Sequence, residues 1–114
     1  MNINRRLFLG LALIGLVACA TTQNVRSDQP PTILEVDNQA ALDMTIYVYR
    51  GGERIRLGSA TGLAKSQLRI PPNLLFGSTA LRFMADPIGA NRLPITEEIS
   101  VSPGDTVQMT IPFR

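Results

Sequence analysis

From Thr32 to Arg114, apolar and polar residues alternate in short runs, and nearly every run is closed by Gly, Pro, Asn or Asp. A period of two sends successive side chains to opposite faces of a strand. The pattern therefore predicts seven strands, at 32–37, 45–50, 53–60, 66–70, 79–85, 95–101 and 106–113. No stretch keeps a helical period for three turns, and the eight prolines all lie between residues 30 and 112, where they oppose long helices. The segment 71–78, which begins Pro71-Pro72, has room for one short helical turn.

Two turns test this pattern. A two-residue turn at Gly51-Gly52 with positive φ sets Arg50 against Glu53, Val48 against Ile55 and Ile46 against Leu57, so the apolar side chains share a face. The opposite face then pairs Tyr49 with Arg54 and Tyr47 with Arg56. Ser102-Pro103-Gly104-Asp105 has Pro and Gly where a type II turn requires them. A tight hairpin there would oppose Val101 to Thr106 and turn the two apolar sets to opposite faces. Either a bulge adds a residue, or the two strands belong to different sheets.

The expected inward set is Ile33, Leu34, Ile46, Val48, Ile55, Leu57, Leu68, Ile70, Leu81, Phe83, Ile99, Val101, Val107, Met109 and Ile111. Such a core fits an all-β fold, a seven-stranded antiparallel β-sandwich of immunoglobulin-like or transthyretin-like form, following an N-terminal signal helix. A domain of about this size buries only a little over 60% of its unfolded surface, so its stability margin is modest.

The N-terminus follows another logic. Residues 1–6 are polar and carry Arg5 and Arg6, residues 7–18 hold only apolar side chains and glycine, and Cys19 follows. This is the layout of a secretory signal, too short for a bilayer span of about 20 residues. Leu16-Val17-Ala18-Cys19 resembles the lipobox of bacterial lipoproteins. The resemblance implies diacylglyceryl transfer to the Cys19 thiol, cleavage between Ala18 and Cys19, and acylation of the new amino group with a fatty acid such as palmitate. Two or three chains would hold the protein stably on a lipid bilayer. Asn4-Arg5-Arg6-Leu7-Phe8-Leu9 also resembles a twin-arginine export signal, the alternative being the general secretory route. Ala20 after the cysteine resembles the outer-membrane sorting position of enteric lipoproteins.

Residues 20–31, ending in Pro30-Pro31, read as a tether that reaches about 40 Å when extended. The expected organisation is a signal peptide over 1–18, a lipidated Cys19 with tether over 19–31, and a sandwich over 32–114. The sandwich also resembles accessory domains of bacterial envelope proteins. Its Gly51-Gly52 hairpin, Ile70-Pro71-Pro72 break and Ser102-Pro103-Gly104-Asp105 turn are spaced as in a family of small envelope lipoproteins. That resemblance carries no catalytic motif and implies fold and location only.

Composition narrows the chemistry. With no His and a single Cys, a His-based triad, a Cys/His zinc site and an internal disulfide are all excluded. Eleven basic against nine acidic residues give a net charge of +2, but Arg5 and Arg6 lie in the signal segment, so nine of each remain beyond it. The basic excess belongs to export, and no clustered basic surface points to nucleic acid. Asp37, Asn38 and Asp43 could gather near a cation, yet turns use such residues anyway, and neither metal nor cofactor is expected. The serines lack a His to activate them, and Lys65 has no supporting motif, so no catalytic residue is assigned.

The candidate binding patch is the outward face of the first hairpin, Tyr47, Tyr49, Arg54 and Arg56, since Tyr and Arg carry binding energy and Arg recognises carboxylates. Cross-strand stacking that merely stiffens the sheet is the plainer reading. Arg69 and Arg82 would extend the patch if they share its sheet, and the loop Ala85–Arg92 is a second candidate shaped by Pro87 and Gly89. The expected role is a non-enzymatic interaction or accessory module of the bacterial envelope, facing the periplasm from the outer membrane, with an envelope protein or cell-wall polymer as partner. The alternative is a carrier or sensor binding a small ligand in a pocket of the sandwich.

Overall fold

Seven strands form where the alternation places them. In a computed structural model describing residues 29–114, they are β1 (Ile33–Asn38), β2 (Met44–Arg50), β3 (Glu53–Ala60), β4 (Ala64–Arg69), β5 (Thr79–Pro87), β6 (Ile95–Val101) and β7 (Thr106–Ile111). The helical turn expected after Pro71 is a short 3-10 element at Pro72–Leu74. The expected signal helix, the expected cleavage site at Ala18, Cys19 and the expected tether through residue 28 lie outside the described residues.

The strands make two sheets, a three-stranded one in the order β4-β1-β7 and a four-stranded one in the order β3-β2-β5-β6. An immunoglobulin constant domain would place β1 beside β2. Here they lie in different sheets, so the strand order is not that of an immunoglobulin constant domain. Every neighbouring pair is antiparallel except β1 and β7. Strands that reverse direction at each connection alternate by number, so two odd-numbered strands placed side by side must be parallel.

The turn at Ser102–Asp105 resolves as the second of its two alternatives, with β6 and β7 in different sheets. Gly104 supplies the required positive φ of 87°, and the Asp105 N–H closes the turn on the Ser102 carbonyl at 3.1 Å. At the other hairpin Gly51, with φ 60°, takes the first central position of a two-residue turn.

Register at that hairpin holds for Arg50 with Glu53, Val48 with Ile55, Tyr49 with Arg54 and Tyr47 with Arg56. It departs at Ile46, which faces Gly58 and not Leu57 because an extra residue bulges β3. Packing accompanies the slip. A Cβ on Gly58 would sit 2.9 Å from the Leu68 Cδ2 of the opposing sheet, so the glycine lets that leucine lie close without shifting.

The core lies between the sheets. Leu34, Val36, Met109 and Ile111 of one meet Ile46, Val48, Phe83 and Ala85 of the other, all fully buried. Ile33 does not join them, because its neighbour Leu34 points inward and adjacent residues of a strand cannot share a face. Val36 and Met44 take inward positions that the alternation alone did not claim.

Strands β1, β3, β5 and β7 end, and β2, β4 and β6 begin, at one end of the sandwich, here the far end. The chain enters the described region at the near end, where the Gly104 N–H donates to the Thr32 hydroxyl at 2.8 Å. Buried Asn38 organises the far end. Its amide donates to the Leu42 carbonyl at 2.9 Å and the Ala60 carbonyl at 3.4 Å, while its oxygen accepts from the Ala40 N–H at 3.0 Å. These bonds tie the β1–β2 loop to the end of β3 in the other sheet. Asp43 accepts from the Gly62 N–H at 2.8 Å, and the Gly62 backbone lies so close to Ala41 that no side chain fits there.

Removing the Asn38 amide strands two carbonyls and one N–H inside the protein. Asn38→Ala is expected to lower the unfolding free energy by about 2 to 3 kcal/mol in a urea titration. Gln39→Ala, exposed one residue later, should change it by less than about 0.5 kcal/mol.

Candidate functional site: the Tyr–Arg face

Alternation puts Thr45, Tyr47 and Tyr49 of β2 on the outer face of the four-stranded sheet, because Met44, Ile46 and Val48 are buried on the inner one. The register then builds two rows across this face. One runs Arg54, Tyr49, Arg82, Glu98, and the next runs Arg56, Tyr47, Met84, Thr96. All four predicted patch residues, Tyr47, Tyr49, Arg54 and Arg56, share the face, and Arg82 joins them from β5. Arg69 does not, since it lies on β4 in the other sheet.

One of the two stacks is offset from its direct pair and the other is not. Arg54 faces Tyr49 by register, yet its guanidinium lies over the Tyr47 ring, 4.1 Å from the centroid. Arg82 takes the place over Tyr49, at 4.7 Å. Strand twist brings diagonal neighbours within reach of long side chains, and an arginine fits a ring from that position. Arg56 is drawn along its own strand, donating from Nη2 to the Ser59 hydroxyl at 3.2 Å beside the bulge.

The tyrosines are half-buried and the three arginines exposed. Beneath them sits Met84, only 6% exposed although it faces outward, and its sulfur accepts from the Tyr49 hydroxyl at 3.4 Å. Sequence reasoning missed Met84. Its signal was legible in the run Leu81-Arg82-Phe83-Met84-Ala85, where an apolar residue breaks the alternation at an outward position.

A guanidinium stacked on a ring uses its flat face and keeps its in-plane N–H fork for hydrogen bonds, the geometry that suits a carboxylate or phosphate. The exposed tyrosine surfaces offer flat apolar area for a sugar ring or aliphatic chain. The face is thus a cationic, aromatic platform with no deep concavity.

Other sequence candidates do not assemble. Asp37 points to the outer face of the three-stranded sheet, where it accepts from the Gln39 amide at 3.3 Å, while Asn38 points inward and Asp43 is engaged by Gly62. Among the described residues no three acidic, Cys or His side chains are grouped to hold a metal ion. In the Ala85–Arg92 segment, β5 continues through Pro87 with Ala85 and Pro87 buried, so the true loop is 88–94. Two surface depressions, of about 300 and 350 Å³, lie at the near end beside Pro31, Arg69 and Pro103 and at the far end beside Gln39, Leu63 and Lys65. Neither opens between the sheets. Comparison with known proteins finds no matching family model, no matching curated protein and no matching solved structure.

The two stacks make separable contributions. Arg54→Ala and Arg82→Ala should each lower stability by about 0.5 to 1 kcal/mol. Arg56→Ala, which loses only an exposed bond to a serine, should stay within about 0.5 kcal/mol of the parent chain in the same urea titration.

Proposed function

We propose that this chain is a lipoprotein of the bacterial envelope, held on the outer membrane by acylated Cys19, whose sandwich is a non-enzymatic interaction module presenting the Tyr–Arg face to an anionic partner. The observation that carries the reading is the pre-stacked pair of arginines over Tyr47 and Tyr49 on a flat outer face. Side chains ordered before binding lose less entropy on contact, which favours recognition. The partner is an envelope protein or cell-wall polymer that offers carboxylates to Arg54, Arg56 and Arg82. A packed interior supports this role over that of a small-ligand carrier, which needs an enclosed cavity.

The described chain enters the sandwich at the near end, which supports a Tyr–Arg face that runs alongside the direction of attachment. Twelve tether residues keep the domain within about 40 Å of its anchor. Exchange of Arg5 and Arg6 for Lys discriminates the export routes, since a twin-arginine signal stops working and a general secretory signal does not.

Two measurements test the reading separately. Mass spectrometry of membrane-fraction protein should find a chain beginning at acylated Cys19, and an unmodified Cys19 or an intact Met1 end removes the anchor. Binding to purified cell-wall polymer or to an envelope protein bearing an acidic surface should fall about tenfold or more in a Tyr47→Ser, Arg54→Ser variant that still folds, consistent with loss of two anchor side chains. Unchanged binding would leave the stacks with a purely stabilising role.

A further inference from the structure

The sandwich is unequal, with four strands packed on three. On β6, register and burial place Ile95, Glu97, Ile99 and Val101 on the inner face, opposite Ala85, Phe83, Leu81 and Thr79. An inner position should be covered. Phe83 and Val101 are fully buried, yet Ile95 and Ile99 are only partly buried and Glu97 is exposed although it points inward beside Phe83. The three-stranded sheet ends at β7, and its cover over that part of β6 is incomplete.

The edge of β7 opens into the same space. The Asp105 carbonyl accepts from Ile33 N–H and the Ile111 carbonyl from Gln39 N–H, both at 2.9 Å. In a parallel ladder this turns the odd-numbered residues of β7 toward β1 and directs the backbone N–H and C=O groups of Thr106, Gln108 and Thr110 to the open side. The other three edges are blunted. β3 carries Glu53, Arg54, Arg56 and a bulge, β4 carries Lys65 and Arg69, and β6 carries Glu97 and Glu98. β7 alone among the described strands at a sheet edge has no charged residue and no proline. An edge left in that condition is a template for pairing.

We propose that this vacancy is the docking site for an extended segment of a partner protein, added as an eighth strand beside β7 and under β6. Its backbone pairs with Thr106, Gln108 and Thr110, its alternate side chains cover Val107, Ile95 and Ile99, and one of the inward positions is a Lys or Arg facing Glu97. Glu97 decides the occupant. A second copy's β7 is uncharged and would leave that carboxylate facing apolar residues, and drawing two copies together at this edge would set Glu97 and Glu98 of each beside those of the other. A cationic strand instead pairs the charge as it is covered. The site is distinct from the Tyr–Arg face and does not depend on lipid at Cys19.

The test uses the full-length chain and a synthetic nine-residue peptide of alternating Thr and Val with one central Val replaced by Lys, alongside a twin carrying Glu. Hydrogen exchange should show the Lys peptide protecting the amides of Gln108 and Thr110 but not those of β3 or β4. It should bind about fivefold or more tightly than the Glu peptide, with the preference reversed in Glu97→Lys. Gln108→Pro, which removes an N–H that β1 does not use, should lose both peptides, and Gln108→Lys serves if that variant does not fold. The proposal is overturned if the Lys peptide gives no protection, if protection is equal at the other edges, if Glu97→Lys leaves the preference unchanged, or if the chain alone is a dimer with Gln108 already protected.

Discussion

Everything on the surface of this protein depends on the interleaving of two inner faces, Leu34, Val36, Met109 and Ile111 against Ile46, Val48 and Phe83. Each such side chain is worth about 1.5 to 3 kcal/mol when fully buried, and the single Cys of the chain allows no internal disulfide to share the load. A filled interior also decides where function can sit. With the centre filled by these side chains, an outer face, an edge or an end is where a ligand is best met. The hydrogen bonds of Asn38 extend the same constraint to the far end, where a loop of one sheet is fastened to a strand of the other.

The fold was legible because a period of two is a strong statement. It located the strands to within two residues at their ends, and with glycine chemistry it set most of the first hairpin's register. What escaped it is tertiary. The bulge at Leu57 goes with Leu68 across the sandwich and the parallel pairing of β1 with β7 with strand order in the sheet, and a single strand carries no mark of its neighbours. Gly58 is the instructive residue. In sequence it is one glycine within a strand, and only the approach of Leu68 explains why the chain places it inward.

The candidate face was legible in membership and less so in arrangement. Tyr47, Tyr49, Arg54 and Arg56 followed from alternation alone, whereas the diagonal stacking depends on twist and the addition of Arg82 on the pairing of β2 with β5, which no short-range pattern encodes. The β7 edge is the opposite case. Its lack of charge is visible in Thr106-Val107-Gln108-Met109-Thr110-Ile111, but it acquires meaning only when that strand proves to be the last of a sheet shorter than the one above it.

Charge ties these surfaces together. Beyond residue 18 nine basic and nine acidic residues cancel, and a neutral total would suggest indifference to charged partners. The fold distributes them unevenly. Arg54, Arg56 and Arg82 gather on the outer face of one sheet beside Glu98 and Asp86, Glu35 and Asp37 share the outer face of the other with Lys65 and Arg69, and Glu97 points into the vacancy beside β7. Packed sheets stand about 10 Å apart, and charges are screened over about 8 Å at physiological ionic strength. A partner approaching one face is therefore governed by the charges of that face and hardly by those behind it. Residues 19–114, whose charges cancel, can in this way serve both proposals, an anionic partner on the Tyr–Arg platform and a cationic strand at the open edge.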